Sequence, residues 1–163
     1  MNSFRKHLML PAALALGLPS AYAANVEVTW TEPDTYTDIQ ATNDTQRHFR
    51  RNVMAALETY FQEAGATLPA DQTLLVSVSD VDLAGYVEYF HPAYPFGLRV
   101  IRDVDFPRLA LDYELKAADG STISAGQDIL KDLGFRFPTF STRYAQPLGY
   151  EKRLIDRWYR DTF

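Results

Sequence analysis

The sequence predicts an α+β fold, in which a mixed sheet of four to five strands carries two amphipathic helices. Three segments lead to this prediction. Residues 25–30 and 74–80 alternate apolar and polar side chains, as half-buried strands do, while residues 43–64 repeat apolar side chains every three or four positions. Because a strand, a helix and a second strand in this order form a crossover unit, we expect the two strands to be parallel.

The segment 43–64 has the features of a helix at both ends. Asn43 or Asp44 can cap its N-terminus, and Gly65 stands where helices commonly end on a glycine. One face of the predicted helix is apolar and comprises Phe49, Val53, Leu57, Tyr60, Phe61 and Ala64. We therefore expect this helix to pack on the sheet.

Later segments continue the same architecture. They are a short strand, two longer strands and a final amphipathic helix, at residues 98–101, 109–115, 122–128 and 148–162. The sequence Ala118-Asp119-Gly120 predicts a tight turn that joins the two longer strands into a hairpin. Residues 128–147 are less regular: residues 128–133 could form a helical turn or extend the strand, residues 135–140 have the pattern of an extended aromatic loop, and the segment as a whole is left unassigned.

The N-terminus is predicted to be a secretory signal peptide, residues 1–23. It has a basic start at Arg5 and Lys6, an apolar run over residues 8–18 and the small-x-small site Ala21-Tyr22-Ala23. Eleven helical residues reach about 16 Å, short of the ~30 Å hydrocarbon core, so a membrane anchor is not expected. We predict cleavage after Ala23 and release of the remaining chain into the periplasm.

The remaining residues, 24–163, are expected to form one soluble domain that does not insert into a membrane. The whole chain has a net charge of −5, and loss of two basic residues leaves 14 positive and 21 negative side chains, or −7. This charge disfavours nucleic acid and anionic lipid as partners. The chain has no cysteine, so neither a disulfide nor a lipid-modified N-terminal cysteine is available.

Two carboxylates at the end of the second strand are candidates for a polar site. If the alternation of residues 74–80 continued, Asp80 and Asp82 would follow Val78 onto the buried face. Two carboxylates there would cost several kcal/mol unless they were paired or bound a ligand. A polar or metal site on these aspartates could include Glu88, with Arg99, Arg102 and Lys152 as possible countercharges.

The same aspartates have a structural interpretation. Asp80 would accept backbone N–H groups, Asp82 would pair with an arginine, and Gly85 would provide a special backbone dihedral. Aspartates at strand ends often act in this way.

A dense run of aromatic residues lies between residues 86 and 96. Tyr89, Tyr94 and Phe96 are candidates for a ligand or partner surface, since aromatic rings near arginines favour apolar and planar partners. The alternative is that these rings pack within loops and core.

No catalytic residue, metal or cofactor is predicted. The chain lacks a G-x-S-x-G motif and a glycine-rich phosphate loop. His48 lies among arginines and His91 among rings and prolines, and neither has the ligand spacing of a zinc site.

Several motifs resemble those of domain-of-unknown-function family 3016 of bacterial envelope proteins. The most specific are Asp80-Val-Asp-Leu-Ala-Gly85 and Tyr150-Glu-Lys152. The others lie in residues 28–38, 76–79, 98–102, 106–109, 153–154 and 158–160. The resemblance covers nearly all of residues 24–163. It implies an exported protein and supplies no catalytic residues.

Two hypotheses of function follow. The first is a non-enzymatic periplasmic module that binds an envelope protein or a small ligand. The second is a carboxylate-based enzyme or metal-binding protein centred on Asp80 and Asp82. A structural subunit of a larger envelope assembly is a third possibility.

Overall fold

A sheet that carries two helices on one face forms the framework of the molecule. The computed structural model describes residues 24–136 and 144–163. The predicted signal peptide, residues 1–23, and part of the unassigned segment, residues 137–143, lie outside the described residues. The predicted α+β class is confirmed. Among the described helices, none is both long and apolar enough to cross a bilayer.

The described residues form six strands and two α-helices. In chain order these are β1 (Asn25–Trp30), α1 (Gln46–Gly65), β2 (Thr73–Asp82), β3 (Tyr86–Glu88), β4 (Leu98–Val100), β5 (Arg108–Lys116), β6 (Thr122–Lys131) and α2 (Gly149–Thr162). A short 3-10 helix, Pro33–Thr35, follows β1. The segment that the sequence left unassigned, residues 128–147, begins within β6 and ends just before α2.

The main sheet has the strand order β1-β2-β5-β6. β1 and β2 are parallel, with Asn25 opposite Thr73, as the crossover rule predicts. β5 is antiparallel to both β2 and β6, and the turn between β5 and β6 contains Gly120 at a φ of 82°. The predicted hairpin is therefore confirmed.

A second, two-stranded sheet stands apart from the main one. Within the part of the chain that the structure describes, β4 pairs only with β3, antiparallel, with Tyr86 opposite Val100. The sequence pattern identified residues 98–101 as a strand but treated residues 86–96 as a connection. The three residues of β3 are too few for an alternation to be recognised, and their pairing with β4 defines them as a strand.

One hydrophobic core lies between the helices and the covered face of the main sheet. Strands, α1 and α2 all contribute to it; its fully buried members include Val76, Val78, Leu109, Leu57, Phe61 and Ile155. Gly65 allows α1 to approach β1 closely, because a Cβ at this position would overlap the Cγ2 of Val26. The other face of the sheet carries mostly polar side chains.

Helix α1 begins at Gln46, and its N-cap residue lies one position later than the nearer of the two predicted caps. Thr45 is the N-cap residue, and its hydroxyl accepts the backbone N–H of His48 at 3.3 Å, so the prediction of Asn43 or Asp44 is wrong. Asp44 instead interacts with the ring of His48. Gly65 is the last helical residue and Ala66 is the C-cap, so the prediction that Gly65 follows the end of the helix as its terminating glycine is wrong.

Candidate functional site

A β-bulge near the end of β2 decides which way the two predicted carboxylates face. The register between β2 and β5 shifts between Val78 and Asp80 and leaves Ser79 as an extra residue. After the bulge Val81 is buried, and Asp80 and Asp82 lie partly exposed on the open face. The alternation of residues 74–80 therefore does not continue through Asp82, and the two carboxylates lie outside the core.

Asp80 is held by the segment that follows the 3-10 helix. The backbone N–H of Thr37 donates to its Oδ1 at 2.7 Å, and the Thr37 hydroxyl donates to its Oδ2 at 2.7 Å. Each carboxylate oxygen thus has a close donor. Asp80 takes the structural role that aspartates at strand ends often have.

Asp82 lies beside a cleft. Arg108, its cross-strand neighbour on β5, donates to its Oδ2 at 3.3 Å. Burial raises the pKa of the Asp82 carboxyl, the guanidinium of Arg108 opposes this, and the charges of Asp38 and Asp80 add to the increase. The cleft has a volume of about 330 Å³, and its walls include Asp38, Gln40, Asp82, Tyr86, Phe106 and Arg108.

Arg99 of β4 joins the small sheet to the rest of the molecule. Its guanidinium donates two parallel hydrogen bonds to Asp38, from Nη1 to Oδ2 at 2.9 Å and from Nη2 to Oδ1 at 3.1 Å. The same nitrogens donate to the carbonyls of Ala84, Gly85 and Gln40, each at 3.3 Å. Both charged side chains are largely buried. We call this arrangement the Arg99 clamp.

Gly85 completes the base of the β3–β4 hairpin. It has a φ of 83°, and a Cβ there would overlap the carbonyl oxygen of Val100. Its N–H donates to the carbonyl of Asp105 at 2.9 Å. A residue with a side chain could not adopt this conformation and approach without strain.

The far end of the hairpin exposes aromatic rings, and we call residues 89–96 the aromatic tip. Phe90 is 96% exposed and Phe96 70%, while Tyr89 and Tyr94 are about half exposed. The tip contains no Asp, Glu, Lys or Arg. An exposed aromatic group of this kind is typical of an interaction surface.

Local hydrogen bonds shape the aromatic tip. The N–H of Tyr94 donates to the carbonyl of His91 at 3.0 Å, and the N–H of Gly97 donates to the carbonyl of Tyr94 at 3.0 Å. The rings of His91 and Tyr94 lie 5.0 Å apart between centroids. The tip is therefore a turn that is closed by backbone hydrogen bonds.

Arg102 lies at the base of the hairpin, and its partner is Asp105 rather than Asp80 or Asp82. Its Nε donates to Asp105 Oδ2 at 2.6 Å, and its Nη2 donates to Asp105 Oδ1 at 3.0 Å. Its guanidinium carbon lies 4.1 Å from the centre of the Tyr86 ring. Glu88, another candidate for the polar site, lies in β3 opposite Leu98.

Lys152 lies on α2, where its Nζ is 5.4 Å from the centre of the Tyr60 ring of α1. Of the three predicted countercharges, Arg99 is the one whose charge lowers the pKa of Asp82. The structure therefore brings Arg99 toward the predicted aspartates, while Arg102 and Lys152 have other partners.

A buried carboxyl lies behind the clamp. Glu151 of α2 is 2% exposed, and its Oε1 accepts the N–H of Ala84 at 2.8 Å. Burial raises the pKa of Glu151, which the Ala84 N–H and the charge of Arg99 partly offset. Glu151 thus ties α2 to the same segment that Arg99 holds.

Sequence reasoning missed four residues of this region: Asp38, Phe90, Arg108 and Glu151. Asp38 and Glu151 lie in motifs that carry the family resemblance, which was the signal available for them. Arg108 also lies in such a motif, residues 106–109, but nothing else in the local sequence distinguishes it from other surface arginines. Its role depends on the pairing of β2 with β5.

The described residues offer little for metal chemistry. In residues 24–136 and 144–163, no group of three or more His, Cys, Asp or Glu side chains could hold a metal ion. The cleft can instead present the Asp82 carboxylate and the Arg108 guanidinium to a ligand or partner.

Comparison with known proteins identifies a family. The family model described as "Protein of unknown function (DUF3016)" matches residues 24–161, which confirms the resemblance found in the sequence motifs. No curated protein matches the sequence significantly.

Removal of the Arg99 clamp should destabilise the fold. In Arg99→Ala, Asp38 loses a bidentate partner while it stays largely buried, so we expect a loss of about 2 kcal/mol in the free energy of unfolding, measured by urea denaturation. Arg99→Lys should recover only part of this, because an ammonium group cannot make the paired bonds.

Arg102→Ala is the matched control, since Arg102 also pairs with an aspartate through two bonds but is exposed. Its effect should be much smaller, because exposed ion pairs are screened by solvent. Equal losses in Arg99→Ala and Arg102→Ala would contradict the proposed importance of the clamp.

Glu151 should give the protein a pH-dependent stability. Because its pKa is raised, the folded state keeps the proton at pH values where the unfolded chain has lost it. The free energy of unfolding should therefore fall as pH rises above the usual value of 4.5 toward the raised pKa. Glu151→Gln keeps an acceptor for Ala84 and should remove this part of the pH dependence.

Urea denaturation at a series of pH values measures the effect, and the difference between wild type and Glu151→Gln separates Glu151 from other titrating groups. Glu151→Ala should lose about 1–3 kcal/mol at every pH, because the Ala84 N–H loses its acceptor. A pH dependence in Glu151→Gln that matches the wild type would exclude Glu151 as its source.

Proposed function

Because the chain belongs to the DUF3016 family, whose function is unassigned, we propose from the geometry that it is a non-enzymatic binding module of the bacterial cell envelope. The partner is an envelope protein, and the binding surface is the aromatic tip. The observation that carries this proposal is the exposure of four aromatic rings on one hydrogen-bonded turn.

Exposed rings at this density favour a binding role. Water contact with large apolar side chains is unfavourable, and contiguous apolar patches on protein surfaces commonly mark interaction sites. Tyrosine and phenylalanine also provide much contact area at a low cost in conformational entropy. The Arg99 clamp fixes the base of the hairpin, which lowers the entropy cost of binding further.

The shape of the surface favours a protein over a small ligand. Small molecules bind mainly in concave sites, whereas Phe90 and Phe96 project into solvent. The tip carries no charged Asp, Glu, Lys or Arg, which fits an apolar groove or patch on the partner. The predicted signal peptide supports a location in the periplasm, where such a partner would be an envelope protein.

Photocrosslinking from the tip tests this proposal. The full chain, with residues 1–23, is produced in Gram-negative cells with a photoreactive phenylalanine analogue at Phe90 or, separately, at Phe96. We expect both positions to give the same discrete protein adduct in the envelope fraction, because both exposed rings belong to the aromatic tip.

The matched control places the analogue at Leu133, which is exposed and lies outside the hairpin. It should not give that adduct. The same adducts from Leu133 and Phe90, or no adduct from either tip position, would contradict the proposed surface. Retention of the protein in the cytoplasm would contradict the proposed location.

A second candidate function is carboxylate-based catalysis or binding at Asp82. The specific observation in its favour is a carboxyl of raised pKa that borders a cleft. Under the binding proposal, a broad panel of hydrolase substrates should show no turnover. Turnover that is lost in Asp82→Asn and kept in Asp80→Asn would establish the second function instead, because Asp80 is already bound on both oxygens.

A further inference from the structure

Three aspartates line the cleft beside β2, and each is paired with an arginine. Two of the pairs make two hydrogen bonds each, of 2.6 to 3.1 Å; they are Arg99–Asp38 and Arg102–Asp105. Arg108 donates to Asp82 through a single bond of 3.3 Å, which is long for a charged pair. The Asp82–Arg108 pair therefore has bonding capacity to spare.

Both members of this pair keep unused hydrogen-bonding atoms. Within residues 24–136 and 144–163, the Asp82 side chain accepts through Oδ2 alone, and the Arg108 side chain donates through Nη2 alone. The two side chains line the cleft and are partly exposed, Asp82 by 25% and Arg108 by 40%. Asp82 Oδ1 and the Nε and Nη1 groups of Arg108 are thus available to a molecule that enters the cleft.

The charges around Asp82 favour a cationic group beside its carboxylate. Partial burial raises the pKa of Asp82, and the charges of Asp38 and Asp80 add to the increase, while Arg108 and Arg99 oppose it. The increase prevails, so the two guanidinium groups do not fully compensate the carboxylate. A cation of a ligand beside Oδ1 would stabilise its charged form.

Arg108 favours a ligand that also carries an anion. A cation alone would be repelled by the guanidinium, whose free N–H groups match the two oxygens of a carboxylate. An anion alone would face the carboxylates of Asp38, Asp82 and Asp105. A ligand with both charges side by side avoids both repulsions.

The size and position of the cleft favour a small ligand. Its volume of about 330 Å³ is at the lower end of the range for ligand sites, about 300–1,000 Å³. Tyr86, Val87 and Phe106 provide an apolar part of the wall. The cleft lies at the carboxyl end of β2, which is parallel to β1, and ligands commonly bind at this end of parallel strands.

We propose that this cleft binds an α-amino acid, with the ammonium group at Asp82 and the carboxylate at Arg108. The two charged groups of an α-amino acid are attached to one carbon atom, so they match a carboxylate and a guanidinium that lie side by side. A short side chain would contact the apolar wall. The site is separate from the aromatic tip and does not depend on what the tip binds.

Three molecules that differ by one charged group test the proposal. L-alanine is titrated into isotope-labelled protein purified from cells that express the full chain, and the backbone amides are followed by NMR. Ethylamine, which lacks the carboxylate, and propionate, which lacks the ammonium group, are titrated in parallel. We expect saturable shifts with L-alanine around Asp82, Tyr86 and Arg108, and about tenfold weaker binding of either analogue, because each loses one charge-assisted contact.

Two variants assign the contacts. Asp82→Asn should weaken L-alanine binding about tenfold without weakening propionate, and Arg108→Gln should weaken it to a similar extent without weakening ethylamine. Lys116→Gln is the matched control, since Lys116 lies at the other end of β5, is also partly exposed and contacts one carboxylate oxygen at 3.4 Å. It should leave the affinity for L-alanine unchanged.

Equal binding of L-alanine, ethylamine and propionate would overturn the proposal, as would shifts that do not saturate or that lie outside the cleft. Alanylalanine distinguishes a free amino acid from a peptide, because a peptide unit separates its charged groups. It should bind more weakly than L-alanine, and tighter binding would overturn the assignment to an α-amino acid.

The amide spectrum of each variant shows whether it is folded, and the comparison of ligands on the wild-type protein needs no variant. Photocrosslinking from the aromatic tip is measured separately in cells. The failure of one proposal is therefore distinguishable from the failure of the other.

Discussion

Arg99 connects three stretches of chain that are far apart in the sequence. Its guanidinium meets the Asp38 carboxylate, the carbonyl of Gln40 and the carbonyls of Ala84 and Gly85. Only a planar group with several fixed donors can satisfy these acceptors together. The buried carboxyl of Glu151 accepts the Ala84 N–H in the same segment, so the guanidinium of Arg99 and the carboxyl of Glu151 both hold the connection between β2 and the small sheet.

One extra residue in β2 decides which side chains after it face the core and which face solvent. Ser79 shifts the alternation, so that Val81 continues the core while Asp80 and Asp82 leave it. Asp80 then serves as an anchor for a loop, and Asp82 borders a cleft beside Arg108. A regular strand would have placed both carboxylates on the buried face, where they would have destabilised the sheet.

Much of the fold could be predicted because its signals are local. Alternation identified β1, β2, β5 and β6, helical periodicity identified α1 and α2, and the handed crossover gave the parallel pair. The bulge at Ser79 could not be predicted, since it is defined by register against β5. For the same reason Asp38 could not be linked to Arg99, which lies 61 residues away.

The boundaries of elements show the same limit on a smaller scale. Asn43, Asp44 and Thr45 are all good N-cap residues, and the backbone path into α1 selects the third. Tyr89, Tyr94 and Phe96 were recognised as surface candidates, but their exposure depends on a hairpin whose first strand has three residues. Local chemistry identified the residues, and pairing decided how they are presented.

Gly85 has a consequence for the kinetics of binding. Its backbone lies close to the Val100 carbonyl, and its N–H donates a hydrogen bond to Asp105. These two contacts hold the connection between β2 and the hairpin in one position. A partner that binds the aromatic tip, as proposed, would therefore meet a hairpin whose base is already fixed, and association would need no rearrangement of the backbone at that base. Partners of different affinity should then differ mainly in how long they stay bound, through their dissociation rates.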